Sequence, residues 1–252
     1  MAIRSIERLT DLHRDTILRV LVHAGAHCER LLQTKVHAVP VDDVQCDEIW
    51  GYVWCKEKHN YEERADRGDA YCFVAIERHN KLILAWHLGR RTAEDTGIFI
   101  DKLDQATDGE FQLTTDGFSA YPEAVHYSLG TRVDFAQLVK VYTASDDPDR
   151  RYSPATVTSA IPMPRWGTPD PQQICTSYVE RQNLSMRMQL RRLTRLTNAF
   201  SKKWENLKAA LAVYFAHYNF CRVHQTLRIT PAMEARLTDH VWTWEELLAY
   251  AI

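Results

Sequence analysis

The sequence predicts an α/β fold: a mixed β-sheet flanked by helices, preceded by a small all-α segment. Three observations predict it. Runs rich in Val, Ile, Trp, Tyr and Phe recur through the first half of the chain, separated by polar turns. Apolar residues at three- and four-residue steps mark helices before and after those runs. Hydrophobic residues make up 45% and charged residues 25% of 252 residues, ordinary globular values that supply a sizeable core.

Residues 2–33 predict two helices. Ile3, Ile6 and Leu9 form the first apolar stripe; Ile17, Leu18, Leu21 and Val22 form the second. Thr10 to His13 make a polar break between them. A short helix, a turn and a longer helix suit a helix-turn-helix, which would place Arg14, Asp15 and Arg19 at a groove. An ordinary helical hairpin fits the same spacing. The motif normally carries a supporting helix ahead of these two, so the segment 1–35 is expected to be incomplete at its N-terminus.

Pro40 marks a boundary, and residues 36–252 are expected to form the second, larger domain. VQCDEIWGYVWCKEKH reads as a strand with Asp47 in its middle, a charged exception in a β-run and therefore a site candidate. Glu48 is expected on the opposite face by strand alternation. Glu57 to Asp69 is a polar loop, and the next 23 residues read as a hairpin turning at His79-Asn80-Lys81. A helix follows from Thr92 to about Ala106, with Ile98, Phe99, Ile100 and Leu103 expected on its buried side. FQLTTD is a short strand ending in Asp116 ahead of Gly117, the place where α/β sheets put their chemistry; a plain Asp-Gly turn is the alternative. TRVDFAQLVKVYT supplies one more strand. The stretch 144–171, rich in Pro, Asp, Ser and Thr, is expected to be a long surface insertion.

Thr176 to Phe200 reads as an amphipathic helix on Val179, Leu184, Met186, Leu190, Leu193 and Leu196, capped by Thr176 or Ser177. Glu180 falls in its first turn. Arg187 lies seven residues on, about 700° around the helix and so within about 20° of the same face. A carboxylate and a guanidinium two turns apart can hold a metal beside a phosphate; a solvated, dipole-compensating face explains the same residues. Further helices are expected over Ser201 to Asn219, with Trp204, Leu207, Leu211 and Phe215 inward, and from about Thr243.

The formal net charge is −2, but the charge is unevenly spread. From Arg181 to Arg228 there are ten Lys/Arg against one acid, Glu205; from Asp42 to Asp69 there are nine Asp/Glu against four Lys/Arg. A basic helical region beside an acidic segment is compatible with phosphate binding around a metal. The six cysteines form no CxxC pair and read as reduced, mostly buried thiols. His23, His27 and Cys28 lack a second ligand pair, which disfavours zinc. No run of about 18 apolar residues occurs, so no membrane span is expected. Trp50 and Trp54 are favoured as core, and His224 as a structural histidine.

The motifs then become specific. DEIWGYV at Asp47, TDGFSAY around Asp116 and YVERQNLSMR from Tyr178 to Arg187 resemble the three motif blocks of insertion-sequence transposases of the DDE class. YNFCRVHQTLRITPA, Tyr218 to Ala232, resembles the tail of that superfamily, and SIERLTDLHRDTILR resembles its helix-turn-helix. The separation of 64 residues between Asp116 and Glu180 is long for such proteins, stretched by the proline-rich insertion. The resemblance implies an RNase H-like, integrase-type core in which Asp47, Asp116 and Glu180 form the catalytic, metal-binding triad. It implies Mg²⁺ or Mn²⁺, two ions, held by hard oxygen ligands. Arg187 would contact a terminal phosphate, with Asn183 lining the site and Arg14, Arg19 and Arg191 also on DNA. The expected activity is metal-dependent cleavage at element ends and 3′-OH strand transfer into target DNA. A nuclease without strand transfer, or a non-catalytic DNA-binding relative, are the alternatives. A homo-oligomer on paired DNA ends and a nucleoid-associated place in a prokaryotic-type cytoplasm follow by the same resemblance.

Overall fold

The strand that carries Asp47 lies inside the sheet, with partners on both sides. The computed structural model describes residues 2–143, 156–194 and 197–249. Six strands form the sheet: β1 (Asp43–Val53), β2 (Gly68–Glu77), β3 (Ile83–Gly89), β4 (Phe111–Asp116), β5 (Val133–Thr143) and β6 (Thr156–Trp166). Their order is β3-β2-β1-β4-β5-β6. The β1–β4 and β4–β5 pairs are parallel, and the rest are antiparallel. This mixed sheet, flanked by helices, is consistent with an RNase H-like arrangement. Val39–Pro40 and Thr107–Asp108 add a two-residue parallel pair beside it.

Register and ring contacts assign the two faces. Glu48 pairs with Phe73 and Phe73 with His87, whereas Asp47 pairs with Val74 and Val74 with Trp86. Directly opposed residues share a face, so these are the two sides of the sheet. Helix α3 (Ala93–Ala106) puts Phe99 5.5 Å from the Phe73 ring. Helix α4 (Tyr121–Ser128) packs on α3. On the other side, α6 (Trp204–Phe220) puts Phe215 5.4 Å from the Trp86 ring. Phe73, Phe99, Phe135 and Phe215 are fully buried, which places a core on each side of the strands.

The N-terminal segment is α1 (Ile3–Thr10) and α2 (Arg14–Lys35), broken at residues 11–13 as the polar turn predicts. The second half of α2 packs along α6, and Gly25 sits where a Cβ would lie 2.4 Å from Ala209 Cα, so only glycine permits that crossing. His27 is buried, with its Nε2 3.0 Å from the carbonyl oxygen of Leu247. That residue lies in the short helix α8 (Trp244–Leu248), which follows α7 (Pro231–Glu234).

Four local expectations are corrected. The stretch read as a proline-rich insertion contains a strand, β6, on the sheet edge; residues 144–155 lie outside the described residues. Pro162 and Pro164 sit within β6, and an edge strand tolerates residues that cannot donate to a ladder. The Glu180 helix, α5, spans only Ser177–Gln189: Leu190 is extended, and Arg191–Leu193 form a separate 3-10 turn. Arg195 and Leu196 lie outside the described residues. Ile98 is exposed on α3, while Phe99, Ile100 and Leu103 face inward. Trp54 is exposed, with Arg67 and Lys202 over its ring at 4.6 and 5.5 Å. The cysteines are free thiols, three buried and three partly buried. Among the described residues, no helix is long and apolar enough to cross a membrane.

Candidate metal centre and basic groove

Where β1 and β4 part, the sheet opens into a cavity of about 940 Å³. The two strands pair only from Asp43↔Gln112 to Cys46↔Thr115, so Asp47 and Glu48 are the first residues of β1 beyond the ladder. Asp116 ends β4 on the other side of the fork. Asp47, Asp116, Glu180, Asn183 and Arg187 all line this cavity, together with Glu48, Arg91 and Lys140. The structure therefore brings together the five central residues singled out in the sequence.

Each side chain is held by identifiable contacts. Asn183 of α5 donates from Nδ2 to Asp47 Oδ2 at 2.9 Å. Gln45, fully buried on the same face, accepts the Tyr178 and Val179 amides and so seats the first turn of α5 against β1. Asp116 Oδ1 accepts the Phe118 amide at 3.0 Å, closing the turn through Gly117. Gln137, buried in β5, donates to the carbonyls of Asp116 and Phe118 and fixes that turn from below. Glu180 accepts from Lys140 Nζ and from the Thr176 hydroxyl. The Thr176 hydroxyl thus goes to the Glu180 carboxylate and caps no backbone group. Arg187 Nη1 donates to the Leu193 carbonyl at 2.9 Å, tying the cavity wall to the arginine turn.

The opposite face contributes Glu48 and Arg91. Arg91 lies between β3 and the Thr92 N-cap of α3, whose geometry Asp95 reinforces by accepting from Arg90 N and Thr92 Oγ1. Its guanidinium reaches Glu48 at 3.2 Å and Asp116 at 3.3 Å while stacking 4.2 Å from the Phe118 ring centroid. The expectation that Glu48 points away from the site is corrected. Alternation does put Asp47 and Glu48 on opposite faces, but the fork lets both reach one opening. Asp47, Glu48 and Asp116 each offer an oxygen within 4.8 Å of the others.

Such crowding is costly for three carboxylates. Burial, and next the charge of Asp116, push Asp47 up to about 7. The same two causes push Glu48 up to about 8. Burial raises Asp116, against the pull of the Phe118 amide, Arg91 and Lys140. Carboxyls held this far above their usual range need protons or a cation between them. An all-oxygen donor set of this size fits a hard divalent ion such as Mg²⁺ or Mn²⁺. Asn183 Oδ1, buried at the site, has no hydrogen-bond partner among the described residues, while the buried Tyr121 hydroxyl lies beside the Glu48 carboxylate.

Three contributors escaped the sequence reading: Glu48, Arg91 and Lys140. Lys140 carried a usable signal, being the one cation in the run Val133–Thr143. The two carboxylate contacts of Arg91 depend on the fork and leave no trace in local sequence.

The remaining predicted DNA contacts lie elsewhere. Arg14 and Arg191 line a second groove of about 1260 Å³, with Arg4, Arg8, Arg192 and Lys202 among its walls and Asp15 as an acid there. Arg192 is half-buried, which lowers its pKa, and donates to Ser201 Oγ at 2.7 Å. Arg19 lines a smaller neighbouring hollow beside Lys203. His224 keeps a local role: its Nδ1 accepts the Thr226 amide at 3.3 Å.

No protein family profile matches the sequence, and no curated protein does. Among solved structures, the chain is similar to a piggyBac transposase in its synaptic complex with hairpin DNA, determined by cryo-EM. The identity is 7% and the TM-score 0.36, over 84% of this chain and 52% of that one. The chain spans about half the length of that structure. A likeness at this level assigns neither family nor activity.

Proposed function

We propose that the chain is a DDE-class DNA transposase that cuts phosphodiester bonds at element ends and joins the 3′-hydroxyl to target DNA. The observation that carries this reading is the convergence of Asp47, Asp116 and Glu180, from two strands and a helix, on one cavity that Arg187 also lines. That residue set is the one whose sequence motifs resemble this class. Asp47, Asp116 and Glu180 would hold up to two Mg²⁺ or Mn²⁺ ions. When bound, such ions lower the pKa of a water or 3′-hydroxyl and stabilise the leaving oxygen of an in-line displacement.

The protein's own groups supply position and charge. Asn183 orients Asp47 by donating to Oδ2. The Phe118 amide and Gln137 hold Asp116 at the fork. Arg187 offers a planar cation to a phosphate seated in the cavity. Lys140 balances Glu180 across the wall until a phosphate or metal ion shares that charge. The basic groove gives sequence-independent backbone binding. End recognition falls to the α1–α2 hairpin, read as a helix-turn-helix. DNA and a second copy of the chain on paired ends would be the partners, within a prokaryotic-type nucleoid.

The test is strand transfer. Linear DNA carrying the element's ends, a target plasmid and Mn²⁺ should yield joined products with wild type and none with Asp116→Asn. Cleavage without joining would make the protein a nuclease. DNA binding with neither product would make it a non-catalytic relative.

A further inference from the structure

We propose that Glu48 is a metal ligand, completing with Asp47 and Asp116 a carboxylate site assembled from both faces of the sheet, and that Arg91 holds its place in the metal-free protein. The proposal rests on reading the cavity as a divalent-metal centre and names a ligand that the triad does not include.

Four observations carry it. The oxygens of Asp47, Glu48 and Asp116 lie within 4.8 Å of one another, whereas Glu180 is engaged by Lys140 and Thr176. The Glu48 side chain is 3% exposed, with the buried Tyr121 hydroxyl beside it, and Asn183 Oδ1, buried in the same cavity, has no hydrogen-bond partner among the described residues. A buried amide oxygen with no partner is unfavourable unless something else satisfies it. Glu48 Oε2 meets Arg91, whose guanidinium also reaches Asp116 and so spans two of the three carboxylates. That is the place of a cation in an acidic cluster, taken by a side chain with 39% exposure that stacks on the Phe118 ring. Finally, Glu48 reaches the site because the β1–β4 ladder stops at Cys46↔Thr115, a property of the fold at this point and not of Glu48 alone.

A purely structural acid makes a different prediction. Tyr121, whose buried hydroxyl neighbours Glu48, and Arg91 would then be its whole reason for being there. Substitution would alter stability and leave metal binding alone.

The experiment is Mn²⁺ titration of the full chain by calorimetry, with bound Mn²⁺ counted by electron paramagnetic resonance. Wild type, Asp47→Asn, Glu48→Gln and Glu48→Asp are compared, and thermal melts without metal confirm that each is folded. Glu48→Gln should weaken Mn²⁺ binding at least about tenfold, the scale of losing a group that shapes a metal site. Glu48→Asp, one methylene shorter, should fall between Glu48→Gln and wild type. Glu48→Gln should stay folded without metal, because the amide is an isostere that keeps the packing beside Arg91 and Tyr121. Loss of binding in Asp47→Asn with wild-type affinity in both Glu48 variants would overturn the assignment while keeping the metal centre. Unchanged binding in all variants would overturn the metal centre and the assignment with it.

Discussion

Asn183 donates to Asp47 across 2.9 Å, joining the helix of Glu180 directly to the strand of Asp47. The bond ties two elements that lie 136 residues apart in sequence, and it does so at the cavity itself. Asn183→Ala removes the donor and leaves Asp47 with less to offset its burial. Mn²⁺ affinity should fall about 10- to 100-fold, the range for a group that orients a ligand. Calorimetric titration reads this directly.

Metal-free stability should fall as pH rises. The folded pKa values of Asp47 and Glu48, about 7 and about 8, lie above their ordinary values of 3.8 and 4.5. Between those limits the folded protein holds more protons than the unfolded chain, so raising pH favours unfolding. The contribution of these groups is intact below about pH 4 and lost progressively up to about pH 8. Melts with and without Mn²⁺ at pH 5 and pH 8 check this. The metal-induced rise should be the larger at pH 8, where protons no longer compete for the carboxylates.

The basic groove should report as a phosphate track. Arg14→Ala combined with Arg191→Ala should weaken binding to any duplex and lower the slope of log K against log salt by about 2, one for each phosphate no longer neutralised. Mn²⁺ titration should be unchanged, since neither residue lines the acidic cavity. Fluorescence anisotropy at several salt concentrations measures the slope.

Gly25 marks the closest approach of α2 to α6. In Gly25→Ala the added methyl would meet backbone atoms of Ala209 that cannot rotate away. Chemical denaturation should show a loss of about 1–3 kcal/mol, the cost of forcing packed helices apart.

Much of this was legible in the sequence, for physical reasons that differ by residue. Asp47 stood out because a strand interior disfavours a charge, and Asp116 because it ends a strand before glycine. Glu180 and Arg187 followed from helical periodicity, which survives although α5 stops at Gln189. Strand β6 did not show, because its prolines mimic a loop and only the edge of a sheet accepts them. Glu48 was misplaced because, although alternation holds, the β1–β4 ladder ends at Cys46 and opens both faces of β1 to one cavity, a long-range feature that local sequence does not carry. Trp54 was misjudged as core because hydrophobicity alone does not register cations that stack on an exposed ring.

The most direct measurement is single-turnover processing of end-labelled DNA bearing the element's termini, with Mn²⁺, by wild type and by Asp116→Asn. Wild type should give cleaved and joined products, reduced by at least about a thousandfold when residue 116 no longer carries charge. Equal product yields from the two proteins, or yields indifferent to the metal, would contradict the assignment of a metal-dependent transposase.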